Sequence, residues 1–279
     1  MKIIKIFSDF VTSKDAINIY ERIGELENDI EYNKTYKFTT EENYTHAIIL
    51  NTEMPNLNID KNNVIGLAYE PNPSLYLKIT EEFINYAKKN ISKYFLGNNK
   101  NLPECFIENY SYLWYNTPIN YIPIKNKNIS IMVSFKKEAP GHCYRHTLVQ
   151  YILTHKLPID IYGNGCHFYN KKFKNIKGEF KNNEPYENYF FHIAIENYIT
   201  PHWFSEKIIN PLLCNTTPIY LGCKNIDKYF DNVIKLTGNI KNDLTLLYNI
   251  CKYPNKFKKN HNIEKIKSTI SIKNVINFF

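Results

Sequence analysis

Residues 190–222 predict a strand, a loop, a helix and a strand in quick succession, with unusual polar residues at both turns. Phe190–Ile195 is an apolar run of strand length, and it ends abruptly on Glu196 and Asn197. Thr217–Leu221 is a second apolar run of strand length. Since two strands joined through a helix normally lie parallel in one sheet, this stretch predicts one unit of an open α/β fold.

The helix between these two strands begins with residues that suit an anionic ligand. Ser205 stands at the N-cap position, and Glu206 and Lys207 follow in the first turn. In open α/β sheets, ligands bind beyond the carboxyl ends of the strands, where helix N-termini offer free N–H groups to phosphates. An acid, an amide and a lysine at this edge therefore predict a site for a diphosphate and a sugar.

This stretch resembles the C-terminal signature of glycosyltransferase family 10, the α-1,3/4-fucosyltransferases. In that signature, a strand ending in Glu-Asn is followed after five residues by Tyr-(Val/Ile)-Thr-Glu-Lys, and later by Pro-(Ile/Val)-x-x-Gly. The chain matches this spacing with Trp203–Lys207 and Pro218–Gly222. Ser205 replaces Thr conservatively, whereas Trp203 replaces Tyr and so brings more bulk and no hydroxyl to the donor pocket that the resemblance implies.

Arg145 is a second point of resemblance. In the family, an early arginine of a helix contacts the pyrophosphate, and a strand of the form (Val/Ile)-Asp-x-(Tyr/Phe)-Gly follows that helix. Here Ile159–Gly163 has this form and follows the predicted helix that carries Arg145. A guanidinium binds two phosphate oxygens and stays charged, which suits the implied role. From its helical position alone, Arg145 would be interpreted as an ordinary surface arginine.

Glu70 is the third point of resemblance, and it lies in the first half of the chain. Family members carry a catalytic glutamate there, commonly within Glu-Ser-Pro after a strand. Glu70 follows the predicted strand Val64–Tyr69 and precedes Pro71, with Asn72-Pro73 in place of Ser-Pro. The resemblance implies that Glu70 is the general base. A solvated loop residue or a helix cap is the alternative that the residues alone leave open.

Together these positions imply an inverting transfer of fucose from GDP-fucose to a hydroxyl of a glycan acceptor. Lys207 and Arg145, with the helix N-terminus at Ser205, would stabilise the leaving diphosphate. Glu206 and Asn197 would hold the ribose or the sugar. The sequence has no Asp-x-Asp element that would hold a divalent ion on a nucleotide sugar. We therefore expect chemistry that needs no metal and no other cofactor.

Three alternatives remain open from the sequence. Trp203 could select another nucleotide sugar, or the protein could bind a glycan or a nucleotide without catalysis. The formal net charge of +8 also raises nucleic acid as a partner. The lysines are dispersed, however, and no nucleic-acid-binding motif is evident. We expect a solvated basic surface and no nucleic-acid partner.

The alternation of strands and helices predicts two Rossmann-like α/β domains facing a cleft, the GT-B arrangement. The expected limits are 1–124 for the acceptor domain and 125–279 for the donor domain with its C-terminal helices, joined near Asn116–Asn128. A first helix is expected over Lys14–Leu26. Between Gly163 and about Tyr186 we expect a polar hairpin or loop.

The location and the metal content are predicted from weaker patterns. Met1–Lys5 leads directly into a strand, and no run approaches a membrane-spanning length. This predicts a soluble, cytoplasmic protein of bacterial or viral type, without a signal peptide or an anchor. The six cysteines form no CxxC pair, which favours free thiols. His142 and His146 lie four residues apart, but with no second ligand cluster we expect surface or satisfied helix histidines and no metal site.

Overall fold

The computed structural model describes residues 1–23 and 29–279. The strands, in chain order, are β1 (Lys2–Ser8), β2 (Tyr36–Thr39), β3 (His46–Leu50), β4 (Val64–Leu67), β5 (Lys93–Leu96), β6 (Phe106–Glu108), β7 (Lys127–Met132), β8 (Ile159–Tyr162), β9 (Ile176–Gly178), β10 (Tyr189–Ile195), β11 (Thr217–Leu221) and β12 (Ile234–Lys235). The α-helices are α1 (Ser13–Arg22), α2 (Glu81–Asn90), α3 (Pro140–Thr154), α4 (Glu184–Glu187), α5 (Glu206–Leu213), α6 (Ile240–Lys252), α7 (Ile263–Ile270) and α8 (Lys273–Ile276). Short 3₁₀ helices cover Lys61–Asn63, Asn164–Phe168, Ile226–Lys228 and Pro254–Lys256.

The chain divides into two compact units. Unit 1 comprises Met1–Thr117, Thr200–Trp203 and Ile270–Phe279, and unit 2 comprises Pro118–Ile199 and Phe204–Thr269. The last residues of the chain, with α8, thus belong to unit 1, although the sequence groups them with the second domain. The limits 1–124 and 125–279 remain our proposal for the functional domains.

Unit 1 contains, within its described residues, a parallel sheet of six strands in the order β2-β1-β3-β4-β5-β6. The direction in which successive strands are added reverses between β1 and β3. Loops that leave the carboxyl ends of those two strands diverge to opposite faces, so this is the topological switch point of the sheet. Its central strand β3 is buried from Ala47 to Leu50, as expected for a strand covered on both faces.

Unit 2 contains a second parallel sheet, with six strands among its described residues, in the order β12-β11-β10-β7-β8-β9. Numbered from its own first strand, this is the order 3-2-1-4-5-6 of dinucleotide-binding folds, and the switch point lies between β7 and β10. Ile131, Ile193 and Ile219 are buried at 0 to 1% exposure in the centre of the sheet. The predicted fold class, α/β with two Rossmann-like units, is confirmed.

Side-chain caps explain why the helices begin where they do. Thr80 accepts a hydrogen bond from the backbone N–H of Phe83, and Glu81 and Glu82 complement the positive end of α2. Ser205 caps α5 in the same way, as its position in the sequence predicts. Phe83 is buried at 1% exposure, which anchors α2 on the sheet.

Some elements differ from the sequence-based expectations. The first helix, expected over Lys14–Leu26, runs over Ser13–Arg22, and residues 24–28 lie outside the described part of the chain. The expected hairpin or loop after Gly163 instead contains β9, which pairs in parallel with β8, and the short helix α4. The short edge strands β2 and β6 were not predicted. No helix among residues 1–23 and 29–279 has both the length and the apolar character needed to cross a membrane.

Candidate active site

A buried carboxylate lies at the carboxyl end of β10, beside the switch point of unit 2. Glu196 is 1% exposed, and its backbone N–H donates to the carbonyl oxygen of Leu221 at 2.8 Å. Its two carboxylate oxygens accept hydrogen bonds from the backbone N–H of Ser205 at 2.9 Å and from the Ser205 hydroxyl at 2.7 Å. Glu196 therefore fixes the N-cap of α5 at the edge of the sheet.

Lys207 completes this group from the first turn of α5. Its ammonium nitrogen lies 2.9 Å from Glu206 Oε1, 3.2 Å from Ser205 Oγ and 3.8 Å from Glu196 Oε2. The Lys207 side chain is 22% exposed and that of Glu206 is 46% exposed, whereas that of Glu196 is fully buried. The cation is thus held between one buried and one half-exposed carboxylate.

Arg145 reaches the same edge of the sheet from α3. It is 7% exposed, and a terminal guanidinium nitrogen donates to Asn197 Oδ1 at 2.7 Å. The Arg145 Nε–H donates to the carbonyl oxygen of Gly141 at 3.3 Å. The structure therefore brings together five of the predicted site residues, all in unit 2: Arg145, Asn197, Ser205, Glu206 and Lys207.

Two glycines allow the neighbouring elements to approach Glu196. A Cβ atom on Gly141, in the first turn of α3, would lie 1.8 Å from the carbonyl oxygen of Glu196. The Gly141 N–H donates to the carbonyl oxygen of Asn197 at 3.0 Å. On the other side, a Cβ atom on Gly222 would lie 2.3 Å from Glu196 Cγ. A larger residue at Gly141 would displace the backbone at the end of β10, and one at Gly222 would displace the side chains of Glu196 and Tyr220.

The charges in this group perturb one another. Burial raises the pKa of Glu196 above its usual value, although Lys207 opposes the shift. Burial alone would also raise the pKa of Glu206, but its interactions with Lys207 and Ser205 hold it below the usual range. For Lys207, burial acts to lower the pKa, and the two glutamates outweigh it, so the net shift is upward. Lys207 and Glu206 are therefore both charged at neutral pH.

The two histidines of α3 are buried and hydrogen-bonded, which is the second of the two alternatives, surface or satisfied, that the sequence left open. His142 accepts the backbone N–H of Ala139 at its Nδ1 atom, at 3.2 Å, and burial lowers its pKa to about 4. His146 lies 2.6 Å from the Tyr169 hydroxyl and 2.9 Å from the Ser134 carbonyl oxygen. Among the described residues, no group of three or more His, Cys, Asp or Glu could hold a metal ion. All six cysteines are described, and all are free thiols.

Glu70 lies in unit 1, in the bend that follows β4, and is half-buried. The residue before it is rigidly held, because the Tyr69 N–H donates to Asn51 Oδ1 at 2.9 Å and the Tyr69 hydroxyl donates to the Tyr112 carbonyl oxygen at 3.1 Å. Asn51 adopts a left-handed backbone conformation at the end of β3, with φ of 53°. Glu70, the base predicted from the sequence, therefore directly follows a residue that hydrogen bonds hold in place.

Trp203 belongs to unit 1, although the sequence places it in the donor domain. It is 2% exposed, and its indole Nε1–H has no hydrogen-bond partner among the described residues. A Cβ atom on Gly97 would lie 2.8 Å from Trp203 Cβ, so Gly97 makes room for this residue within unit 1. Its role in donor binding remains a proposal.

The comparisons with known proteins bear on the same region. The model of the C-terminal domain of glycosyltransferase family 10, described as fucosyltransferase, matches residues 122–262, which is half of the chain. The chain belongs to glycosyltransferase family 10. This confirms the predicted family and glycosyltransferase class, and the matched segment includes Arg145, Glu196 and Lys207.

A curated relative of this family 10 chain comes from Acanthamoeba polyphaga mimivirus and is provisionally described as fucosyltransferase R654. It is 27% identical over 176 residues, which cover 55% of the chain and 28% of the viral protein. The chain thus spans less than a third of the length of that relative. The viral source agrees with the predicted bacterial or viral type.

Two solved structures resemble the family 10 chain along its whole length. A crystal structure of an α1,3-fucosyltransferase has a TM-score of 0.58 at 12% identity, covering 100% of the chain and 88% of that protein. A structure of an α1,3-fucosyltransferase with GDP-fucose has a TM-score of 0.51 at 17% identity, with 100% and 89% coverage. At this identity the likeness establishes the fold, and the predicted GT-B class is confirmed.

The site also contains residues to which the sequence assigned no role. Glu196 was noted as an acid ending a strand, but its contact with Ser205, nine residues later, depends on the path of the intervening loop. Gly141 and Asn51 were not singled out. The signals available were an acid directly after the mostly apolar run Phe190–Ile195, and the Pro-Gly pair at the start of α3.

Proposed function

We propose that this family 10 protein is an inverting, metal-independent glycosyltransferase that transfers fucose from GDP-fucose to a hydroxyl group of a glycan. The observation that carries the proposal is the pair of cations Arg145 and Lys207 at the carboxyl edge of the unit 2 sheet, within the segment that matches the family. These cations lie where α/β folds of this strand order bind nucleotides. GDP-fucose is the donor that agrees with the family and with the predicted diphosphate site.

The chemistry follows from what sugar transfer requires. As the bond between the anomeric carbon and the diphosphate breaks, negative charge develops on the diphosphate. Arg145, Lys207 and the free N–H groups at the start of α5 stabilise that charge. Glu70 accepts the proton of the acceptor hydroxyl as its oxygen attacks from the opposite face, which inverts the anomeric configuration. Asn197 and Glu206 hold the ribose or the sugar, and Trp203 contributes to the donor pocket.

The use of protein cations in place of a metal is part of the proposal. The support is the absence of an Asp-x-Asp element from the sequence, together with two positively charged side chains in the matched segment. A second candidate function is transfer of a different nucleotide sugar, favoured by Trp203 at the position where the family signature has Tyr. The family match argues against nucleic acid as the main ligand.

Binding of GDP to unit 2 is the first test. Calorimetric titration should give the same dissociation constant with and without EDTA. In Lys207→Ala we expect affinity for GDP to fall about tenfold to a hundredfold, since hydrogen bonds to charged groups contribute about 1.5–3 kcal/mol. Affinity for guanosine should change much less, because only the diphosphate requires the cation.

A matched control for this titration is Lys224→Ala. Lys224 is an exposed lysine that follows β11 at the same edge of the sheet, so its removal changes the net charge equally. It should leave GDP affinity within about twofold of wild type. Loss of GDP binding on chelation would exclude the metal-free mechanism, and equal losses in both variants would show that only the overall charge matters.

The nucleic-acid alternative makes a separate prediction. Dispersed lysines contact few phosphates at once, so binding to random RNA or DNA should be weak and should collapse as salt is raised. Fluorescence anisotropy with labelled oligonucleotides across a salt series measures this. Micromolar or tighter binding at physiological salt, unaffected by excess GDP, would favour the nucleic-acid function instead.

A further inference from the structure

Unit 1 carries a half-exposed aromatic ring at the carboxyl edge of its sheet. Phe10 follows β1 and is 44% exposed. Its ring centroid lies 6.0 Å from that of Tyr69 and 5.7 Å from that of Trp114. Tyr69 and Trp114 in turn pack edge to face at 5.0 Å and 88°. Phe10 is thus the exposed member of an aromatic cluster whose other rings support it.

The supporting rings are firmly held. Tyr69 is 6% exposed and is hydrogen-bonded through both its backbone N–H and its hydroxyl. Trp114 also contacts Tyr20, which is 1% exposed, with ring centroids 6.2 Å apart. A ring that rests on such a base offers a preorganised surface, because little side-chain entropy is lost when a ligand covers it.

Polar groups lie at the switch point of the unit 1 sheet, and one of them belongs to the residue before Phe10. Asp9 follows β1 and Thr52 follows β3, and the Asp9 carboxylate accepts the Thr52 N–H at 3.2 Å and the Thr52 hydroxyl at 3.0 Å. This bridge spans the two strands between which the strand order reverses. The crevice beyond that point is where open α/β sheets bind their ligands.

We propose that Phe10, supported by Tyr69 and Trp114, is a stacking subsite for a hexose ring of the acceptor, with Asp9 and Thr52 as hydrogen-bond partners for its hydroxyls. The C–H bonds on one face of a hexose are apolar and slightly positive, and they suit the negative face of an aromatic ring. Glu70 directly follows Tyr69, so the proposed base and this surface share one backbone segment. The assignment of the hexose as acceptor rests on the proposed function.

Saturation-transfer difference NMR tests the subsite without any donor. Lactose, N-acetyllactosamine, cellobiose and maltose are added in turn to the wild-type protein and to its Phe10→Ala, Phe10→Tyr and Phe173→Ala variants. Phe173 is an aromatic residue of unit 2 with 37% exposure and serves as the matched control. We expect at least one saccharide to bind wild type, Phe10→Tyr and Phe173→Ala, and to lose about tenfold in affinity in Phe10→Ala.

Three results would overturn the subsite. In the first, none of the four saccharides binds the wild-type protein. In the second, a saccharide binds wild type and Phe10→Ala with equal affinity. In the third, Phe10→Ala and Phe173→Ala lose equal saccharide affinity. Self-association that Phe10→Ala abolishes, measured by sedimentation over a range of protein concentrations, would assign Phe10 to an interface between copies of the chain and would also overturn it.

A kinetic measurement separates this inference from the proposed function. Phe10→Ala should raise the acceptor KM in transfer from GDP-fucose, while GDP affinity and the slow hydrolysis of GDP-fucose without acceptor stay unchanged. If GDP fails to bind the wild-type protein, the proposed function fails, yet saccharide binding lost in Phe10→Ala would still support the subsite. If GDP binds but acceptor KM is the same in both proteins, the subsite alone is wrong.

Discussion

Replacing Glu70 with glutamine should lower the rate of sugar transfer by about 10² to 10⁴. The substitution keeps the size and the hydrogen-bonding reach of the side chain, but it removes the oxygen that can accept a proton. GDP affinity should remain at the wild-type value, because the proposed diphosphate contacts come from Arg145 and Lys207. The measurements are initial rates of transfer from GDP-fucose and calorimetric titration with GDP.

Glu108→Gln is the control for this experiment. Glu108 ends β6 in the same sheet and is exposed, and one of its carboxylate oxygens accepts the Asn99 N–H at 3.3 Å. Its replacement should leave the transfer rate within about twofold of wild type. If Glu70→Gln transfers sugar at nearly the wild-type rate, the general base is another carboxylate, and Glu138 and Glu206 are the next to replace.

The second large effect is expected from Gly141→Ala. The substitution should lower the free energy of unfolding, whereas helix propensity alone predicts that it would raise it. Alanine inside a helix is normally favoured over glycine by about 1 kcal/mol. Here the new Cβ would lie 1.8 Å from the carbonyl oxygen of Glu196, so α3 must move away from the end of β10. We expect a loss of about 3 kcal/mol in the free energy of unfolding, which lowers Tm by roughly 6 to 12 °C. Calorimetric scans measure this shift.

GDP affinity should fall together with stability in Gly141→Ala. Movement of α3 separates Arg145 from Asn197, which it contacts at 2.7 Å. Gly178→Ala is a useful comparison, because no atom lies within 4 Å of the added Cβ and only the φ of 81° opposes the change. It should cost about 1 kcal/mol and leave GDP affinity unchanged. A Tm higher in Gly141→Ala than in wild type would show that a Cβ atom at position 141 fits beside the carbonyl oxygen of Glu196.

The local parts of the candidate site were predictable from the sequence. Ser205 was identified as a cap, and Glu206 and Lys207 were placed in the first turn, because these depend on neighbours in the chain. Apolar runs of strand length also located most of the sheet strands. The edge strands β2 and β6 were not predicted, because they have only four and three residues and their hydrophobic patterns are weak.

The parts that depend on distant contacts were not predictable. The burial of Glu196 requires Gly141 and Gly222 to approach it from two other elements, and no spacing in the sequence encodes that approach. Trp203 was placed in the donor domain because its neighbours match the family signature, whereas the chain around Thr200–Trp203 packs into unit 1. Similarly, the sequence gives no sign that β9 joins the sheet in parallel.

The ion pairs around Lys207 have a consequence for how this group would receive a diphosphate. Lys207 and Glu206 are both charged at neutral pH and lie 2.9 Å apart, so each offsets part of the charge of the other. Under the proposed function, a diphosphate that binds Lys207 would displace the half-exposed Glu206, while the buried Glu196 would stay in place. When the nucleotide product leaves, Glu206 would return to Lys207, so that Arg145 and Lys207 would not be left without a neighbouring carboxylate.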